Sequence, residues 1–173
     1  MAAIVHSSGF GIAEALDAEA VEACRRLFVE YQQALGVSLC FQGFEGELAA
    51  LPGEYARPRG RLLLARIAGE SAGCVALRPL TEGAAEMKRL YVRPAYRGMG
   101  IGRTLAECAI DEARALGYRE LKLDTLPTMA EAQRLYSELG FVETPAYCEN
   151  PVPGARFLAL DLASSAVSSA ASG

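Results

Sequence analysis

The chain has 173 residues, 51% of them hydrophobic, and a net charge of -4. That suits one folded domain with a sizeable core and excludes a general nucleic-acid partner, whose phosphates demand a concentrated basic face. The five cysteines, Cys24, Cys40, Cys74, Cys108 and Cys148, are odd in number and lack a C-x-x-C pair. They point to neither zinc nor a disulfide framework, and they suit a reducing cytoplasm. The N-terminus lacks the basic start and apolar core of a secretion signal, and no run approaches the roughly 18 apolar residues of a membrane span. The only histidine, His6, lies in a terminus expected to fray, which argues against a Ser-His-Asp or Cys-His catalytic group.

A first strand is expected over Phe10 to Leu16. Asp17 then reads as an N-cap, with Val21, Cys24, Leu27, Phe28, Tyr31 and Leu35 at helical spacing until Gly36. A shorter helix is expected over Leu39 to Leu51, carrying Phe41, Phe44, Glu45 and Glu47 and ended by Pro52-Gly53. Arg61 to Ala68 and Ser71 to Leu80 read as a hairpin, and Ala84 to Arg93 as the third strand of a meander. Simple alternation puts Glu86, Lys88, Leu90 and Val92 on one face of that strand and Met87, Arg89 and Tyr91 on the other, unless a bulge intervenes. A helix from Gly100 to Leu116 turns Ile101, Leu105, Cys108, Ala109 and Leu116 inward and ends at Gly117. It leads to a strand over Glu120 to Leu126, parallel to the strand before it because a helical crossover joins them. Thr128 and Glu131 form an expected capping box for a helix over Met129 to Leu139, ended by Gly140. Phe141-Val142 and Ala155 to Leu162 supply the last strands. One domain is expected over 1–162, with 163–173, almost wholly Ala, Ser and Gly, as a disordered tail.

The chain is organised around Arg97-Gly98-Met99-Gly100-Ile101-Gly102-Arg103-Thr104, three alternating glycines between a strand and a helix. A glycine-rich turn at a helix N-terminus lets backbone approach a ligand and aims unpaired N–H groups and the positive helix end at it. It is an anion site, and phosphate is its usual occupant. Arg97 and Arg103 flank it. The loop is not a P-loop, because Arg97 and Arg103 stand where G-x-x-x-x-G-K-[ST] requires glycine and lysine. Nor is it a dinucleotide fingerprint, which needs glycine at the position of Arg103.

What remains is R-x-x-G-x-G, preceded by Val92-Arg93-Pro94 and followed by Arg134-Leu135-Tyr136-Ser137-Glu138-Leu139-Gly140-Phe141. This pairing resembles the GNAT superfamily of acetyl-CoA-dependent N-acetyltransferases, over about Arg61 to Leu162. The resemblance implies an α/β (α+β) fold, a mixed and mostly antiparallel sheet flanked by helices with a central βαβ unit. It implies that Arg97, Gly98, Met99, Gly100, Ile101, Gly102 and Arg103 hold the pyrophosphate of acetyl-CoA, the cosubstrate, with no metal. A backbone N–H within Leu90-Tyr91-Val92 would then bond the acetyl carbonyl. One departure is Met129, seven residues before Tyr136, where the family often has an asparagine that contacts the coenzyme.

Acetyl transfer to an amine needs a neutral amine, a stabilised oxyanion and a protonated thiol leaving group. An alkyl amine of pKa near ~10.4 is only about one part in a thousand neutral at pH 7. The resemblance therefore implies Glu86 as base and Tyr136 as acid or hydrogen-bond donor to the departing sulfur. The expected reaction is direct attack in a ternary complex, on a primary amine of a small molecule rather than a protein. Glu45, Glu47 and Glu86 would favour a cationic acceptor, whereas Arg57, Arg59 and Arg89 would favour one carrying a carboxylate. The alternative is a non-catalytic acyl-CoA sensor or regulatory module. Partners in the family are often second copies of the same chain, as homodimers.

Overall fold

The computed structural model describes residues 3–7, 9–39 and 43–163, with the side chains of residues 3, 4 and 7 left out. The chain order is β1 (Ala3–Ser7), β2 (Phe10–Glu14), α1 (Ala18–Leu35), α2 (Phe44–Ala50), β3 (Arg61–Ile67), β4 (Glu70–Pro79), β5 (Ala84–Val92), α3 (Ile101–Ala115), β6 (Glu120–Thr125), α4 (Ala130–Glu138), β7 (Val142–Glu143) and β8 (Arg156–Asp161). One eight-stranded sheet runs β1-β2-β3-β4-β5-β6-β8-β7. Neighbours are antiparallel except β5 and β6, which lie parallel across the α3 crossover. This is the mixed, mostly antiparallel sheet with a central βαβ unit that the sequence predicts.

The N-terminus differs from expectation. Rather than fraying, β1 is zipped to β2, with His6 opposite Gly11. Five residues with one short partner carry too little pattern to be seen alone, yet the sheet edge offers them a full ladder. His6 is still remote from catalysis, because three strands separate β1 from β5. Cys40, Phe41 and all but the first residue of the tail expected over 163–173 lie outside the described residues.

Helix α1 starts where Asp17 accepts a 2.8 Å hydrogen bond from the Ala20 N–H, and it stops at Gly36 with φ 68°. Its buried stripe of Cys24, Leu27 and Phe28 packs with Leu62, Leu64, Cys74, Ala76 and Tyr91 on one face of the sheet. On the other face, Ile101, Leu105, Cys108 and Ala109 of α3 pack against Leu63, Val75, Ala85, Met87, Leu121 and Leu123. The central strands are thus buried on both sides, which is why β3 and β4 read as nearly continuous apolar runs. Gly73 permits a close approach: a Cβ there would lie 2.5 Å from the Tyr91 carbonyl oxygen and 3.3 Å from Leu105. No helix among the described residues is long and apolar enough to cross a membrane.

Candidate functional site

Two irregularities in β5 create the site. Cys74 of β4 pairs with Tyr91 and Ala76 with Lys88, so Val75 faces both Arg89 and Leu90. This is a β-bulge, and it reverses the alternation beyond it. Arg89 adopts φ 61°, an uncommon conformation for a residue with a side chain. Its guanidinium is held by Glu47 of α2 at 2.9 and 3.2 Å and lies over the rings of Phe44 and Tyr31. As a result Ala85 and Met87, then Leu90 and Val92, face α3. Tyr91 instead packs on the α1 side, where Arg89 meets Glu47 of α2. The simple alternation predicted for this strand therefore fails after Lys88.

The second irregularity is a parting of strands. β5 pairs with β6 only through Ala84–Glu120, Ala85–Leu121 and Glu86–Lys122. Beyond Glu86 the ladder stops, and a cleft opens between the two strands. It holds an inner pocket of about 30 Å³, walled by Lys88, Leu90, Asp124, Met129, Tyr136 and Asn150 among others. Outside it runs a groove of about 640 Å³ from Leu90, Tyr91 and Val92 to Arg97, Gly98, Gly100, Ile101 and Gly102, closed on the far side by the start of α4. Tyr31, Leu35, Leu90 and Met129 border both cavities, so the two are adjacent.

The outer end of the groove is the glycine turn. Gly98 and Gly100 take φ 82° and 84°, which favour glycine, and Gly100 caps α3 without a side-chain hydrogen bond. The first-turn N–H groups of α3 have no intrahelical acceptor, and they lie at the positive end of its dipole. Gly102 is different. Its φ is not positive, and an added Cβ would meet only Val92, at an ordinary 3.6 Å. Neither backbone nor packing demands glycine there, so the missing side chain serves the open space.

The other expected phosphate contacts divide. Arg97 borders the groove, its Nε donating to the Val92 carbonyl at 3.0 Å. Arg103 is ion-paired with Glu138 of α4, and neither it nor the half-exposed Met99 belongs to the described wall. The expected capping box is absent too. Met129 is the N-cap of α4 and no side chain caps it, while Thr128 and Glu131 turn to the groove. Met129 also lies between the cavities, its sulfur accepting from the Thr125 hydroxyl at 3.8 Å.

Tyr136 lines the inner pocket, its ring edge-on to Phe141 with centroids 5.7 Å apart. Burial, then the neighbouring Tyr31 phenol and the Asp124 charge, push its pKa well above the usual phenol value. Burial likewise pushes Tyr31 up to about 12, against the opposing charge of Arg89. The expectation for Glu86 meets a different geometry. Its carboxylate is 1% exposed, with Oε1 bonded by Arg78 Nε at 2.9 Å and Oε2 by the Tyr147 hydroxyl at 2.7 Å. It borders neither cavity. A carboxylate committed on both oxygens is poorly placed to take a proton from an incoming amine. Of the other charges considered for the acceptor, Glu47 is engaged with Arg89, Arg57 with Glu14, and Arg59 lies over the Tyr118 ring, while Glu45 is exposed and borders neither cavity.

The sequence reading missed Asp124 and Asn150. Asp124 is the one carboxylate among the described residues of the inner pocket, and Asn150 Nδ2 donates to its Oδ2 at 3.0 Å. The sequence held little signal for Asp124, since in Leu121-Lys122-Leu123-Asp124-Thr125 the charges simply alternate with leucines. Among the described residues, no group of three or more His, Cys, Asp or Glu is placed to hold a metal ion.

A family model described as the acetyltransferase (GNAT) family matches residues 28–141. The chain is 41% identical over 140 residues to an uncharacterized N-acetyltransferase of Schizosaccharomyces pombe, covering 80% of this chain and 86% of that one. The chain belongs to the GNAT acetyltransferase family. It is thus an acetyl-CoA-dependent acyltransferase, which decides for an enzyme over a sensor. GNAT structures share its architecture. A GNAT acetyltransferase of Staphylococcus aureus superposes with a TM-score of 0.74 at 21% identity, over 88% of this chain and 99% of that one. An acetyltransferase of Salmonella typhimurium, solved with its cofactor acetyl-CoA, does so with a TM-score of 0.62 at 23% identity, over 89% and 94%.

Proposed function

We propose that this GNAT enzyme acetylates a primary amine of a small molecule by direct attack in a ternary complex. Acetyl-CoA would lie in the groove with its pyrophosphate on the turn from Gly98 to Gly102 and its thioester at the inner pocket. The observation that carries this reading is the adjacency of the two cavities, one walled by the glycine turn at the start of α3 and the other by Tyr136, with Leu90 and Met129 on the wall of both.

Chemistry follows from placement. Because β5 lacks a β6 partner beyond Glu86, backbone around Leu90 borders the cleft, where an N–H donor can meet the developing oxyanion of the acetyl carbonyl. One such donor is worth about 3–4 kcal/mol in comparable sites. Tyr136 stands at the same place to bond or protonate the departing sulfur. A phenol near ~10 giving its proton to a thiolate near ~8.5 is uphill by about 2 kcal/mol, and burial steepens the climb. Donation of a hydrogen bond that completes as the C–S bond breaks fits this better than full prior transfer. Glu86, locked with Arg78 and Tyr147, acts in this reading as a buttress beneath the acceptor face.

The test is a screen of primary amines with acetyl-CoA, followed by release of free thiol. Amine-dependent release with a matching gain of 42 Da in the amine is expected. Coenzyme binding without amine-dependent release across the panel would overturn the reading.

A further inference from the structure

The inner pocket is walled from both faces of the sheet. Leu121 and Leu123 of β6 pack into the α3 core, so Lys122 and Asp124 face the α1 side. Lys122 lies over the ring of Tyr147, the residue that bonds Glu86, which places the loop of residues 144–154 over this same face. Tyr136, by contrast, packs with the α3 core. The parting of β5 and β6 therefore brings a phenol from one face and a carboxylate from the other to a single small cavity.

We propose that Asp124 is a catalytic residue, the carboxylate that takes the proton from the attacking acceptor amine, and that the acceptor enters on the α1 side of the sheet, beside the loop of residues 144–154. This rests on the placement of acetyl-CoA given above. The balance is as follows. The amine lone pair forms the C–N bond at the acetyl carbonyl, which makes the nitrogen positive and strongly acidic. Asp124 accepts that proton, the C–S bond breaks, and the sulfur leaves with a proton from Tyr136. Water then reprotonates Tyr136 and removes the proton from Asp124. A carboxylate can take this proton, because it leaves nitrogen only after the bond to carbon has begun to form. Asn150, bonded to Oδ2, holds the group in place. The polar groups around it are Lys88 and Arg89 of β5, Tyr31 of α1, Tyr136 of α4 and Asn150 of the covering loop. Lys88 has its pKa lowered, chiefly by burial and against the nearby Glu86 charge.

The experiment compares wild type, Asp124→Asn and Asp124→Glu, using amine-dependent thiol release with the best amine of the screen, acetyl-CoA titration calorimetry and thermal melting. Asp124→Asn is expected to lower kcat by about 10²-fold or more, with coenzyme affinity and melting temperature within error of wild type. Asp124→Glu, which keeps a carboxylate, should recover at least part of the loss. An Asp124→Asn enzyme within threefold of wild type would overturn the proposal and leave the acetyltransferase reading standing. So would loss of coenzyme binding or of thermal stability in step with activity, since either marks a structural role. A wild-type protein that releases no thiol with any amine would bring down the reading of the function and this proposal together.

Discussion

Between Ala84 and Glu86, β5 is paired with β6, and its side chains are sealed into the interior. From Lys88 to Val92 the same strand has lost that neighbour, bulges at Arg89 and borders two cavities. Each segment has a carboxylate nearby, a buried one at Glu86 and a half-buried one at Asp124. Glu86 in the paired part is bonded on both oxygens by Arg78 and Tyr147, whereas Asp124, across the parted segment, borders the cavity that holds Tyr136. The difference is between a charge shut into the paired sheet and a charge on the wall of a cavity. A parallel pair with continuous hydrogen bonds would have no room for a thioester, so the lost ladder is the structural cost of having a site.

That contrast predicts a clean separation of effects. In the parted half, Tyr136→Phe should lower kcat by roughly 10²-fold or more, about 2.7 kcal/mol, with the KM for acetyl-CoA little changed in a thiol-release assay. Because burial and its neighbours hold the Tyr136 proton well above the usual phenol range, no loss of rate from its ionisation is expected on raising the pH from 7 to 10. A wild-type rate that falls in that window, with Tyr136→Phe removing the fall, would contradict this.

In the paired half, Arg78→Ala should reduce stability by about 2–3 kcal/mol, somewhat below the usual cost of stripping a partner from a buried charge. Tyr147 would still bond Glu86, and Arg78 is itself partly exposed. The melting temperature should fall by roughly 5–10 °C with kcat of the folded enzyme close to wild type. A large loss of kcat without loss of stability would instead put Glu86 back in the chemistry.

At the helix start, Gly102→Asp should weaken acetyl-CoA binding at least about tenfold in calorimetry, by placing a carboxylate among donors that favour an anion. The smallest effect is the most diagnostic. Gly102→Ala should raise the stability of the free protein, by up to about 1 kcal/mol, because the space is open and alanine favours the helix. It should also weaken coenzyme binding. Opposite signs from one methyl group would show that this glycine serves the ligand and not the fold.

Much of the framework was legible because it is written in local chemistry. Asp17 and Gly36 bracket α1, and the alternating glycines mark the start of α3, each by a rule acting within a few residues. The bulge was not legible. Its signature is a positive φ at Arg89, a residue that gives no local sign of it, and it is held by Glu47 from 42 positions away. The capping box at Thr128 and Glu131 failed for a related reason: the residues have the right types and spacing, but the chain turns them to the groove. Glu86 and Asp124 exchanged their expected prominence because which of them borders the cavity depends on where the β5–β6 ladder ends, which tertiary structure sets.

The most direct test is a crystal structure with a thioether analogue of acetyl-CoA. The diphosphate should lie on the amides at the start of α3, with the sulfur in hydrogen-bonding reach of the Tyr136 hydroxyl and the acetyl group between Leu90 and Asp124. A coenzyme bound away from the gap between β5 and β6, or a Tyr136 hydroxyl turned from the sulfur, would contradict the account.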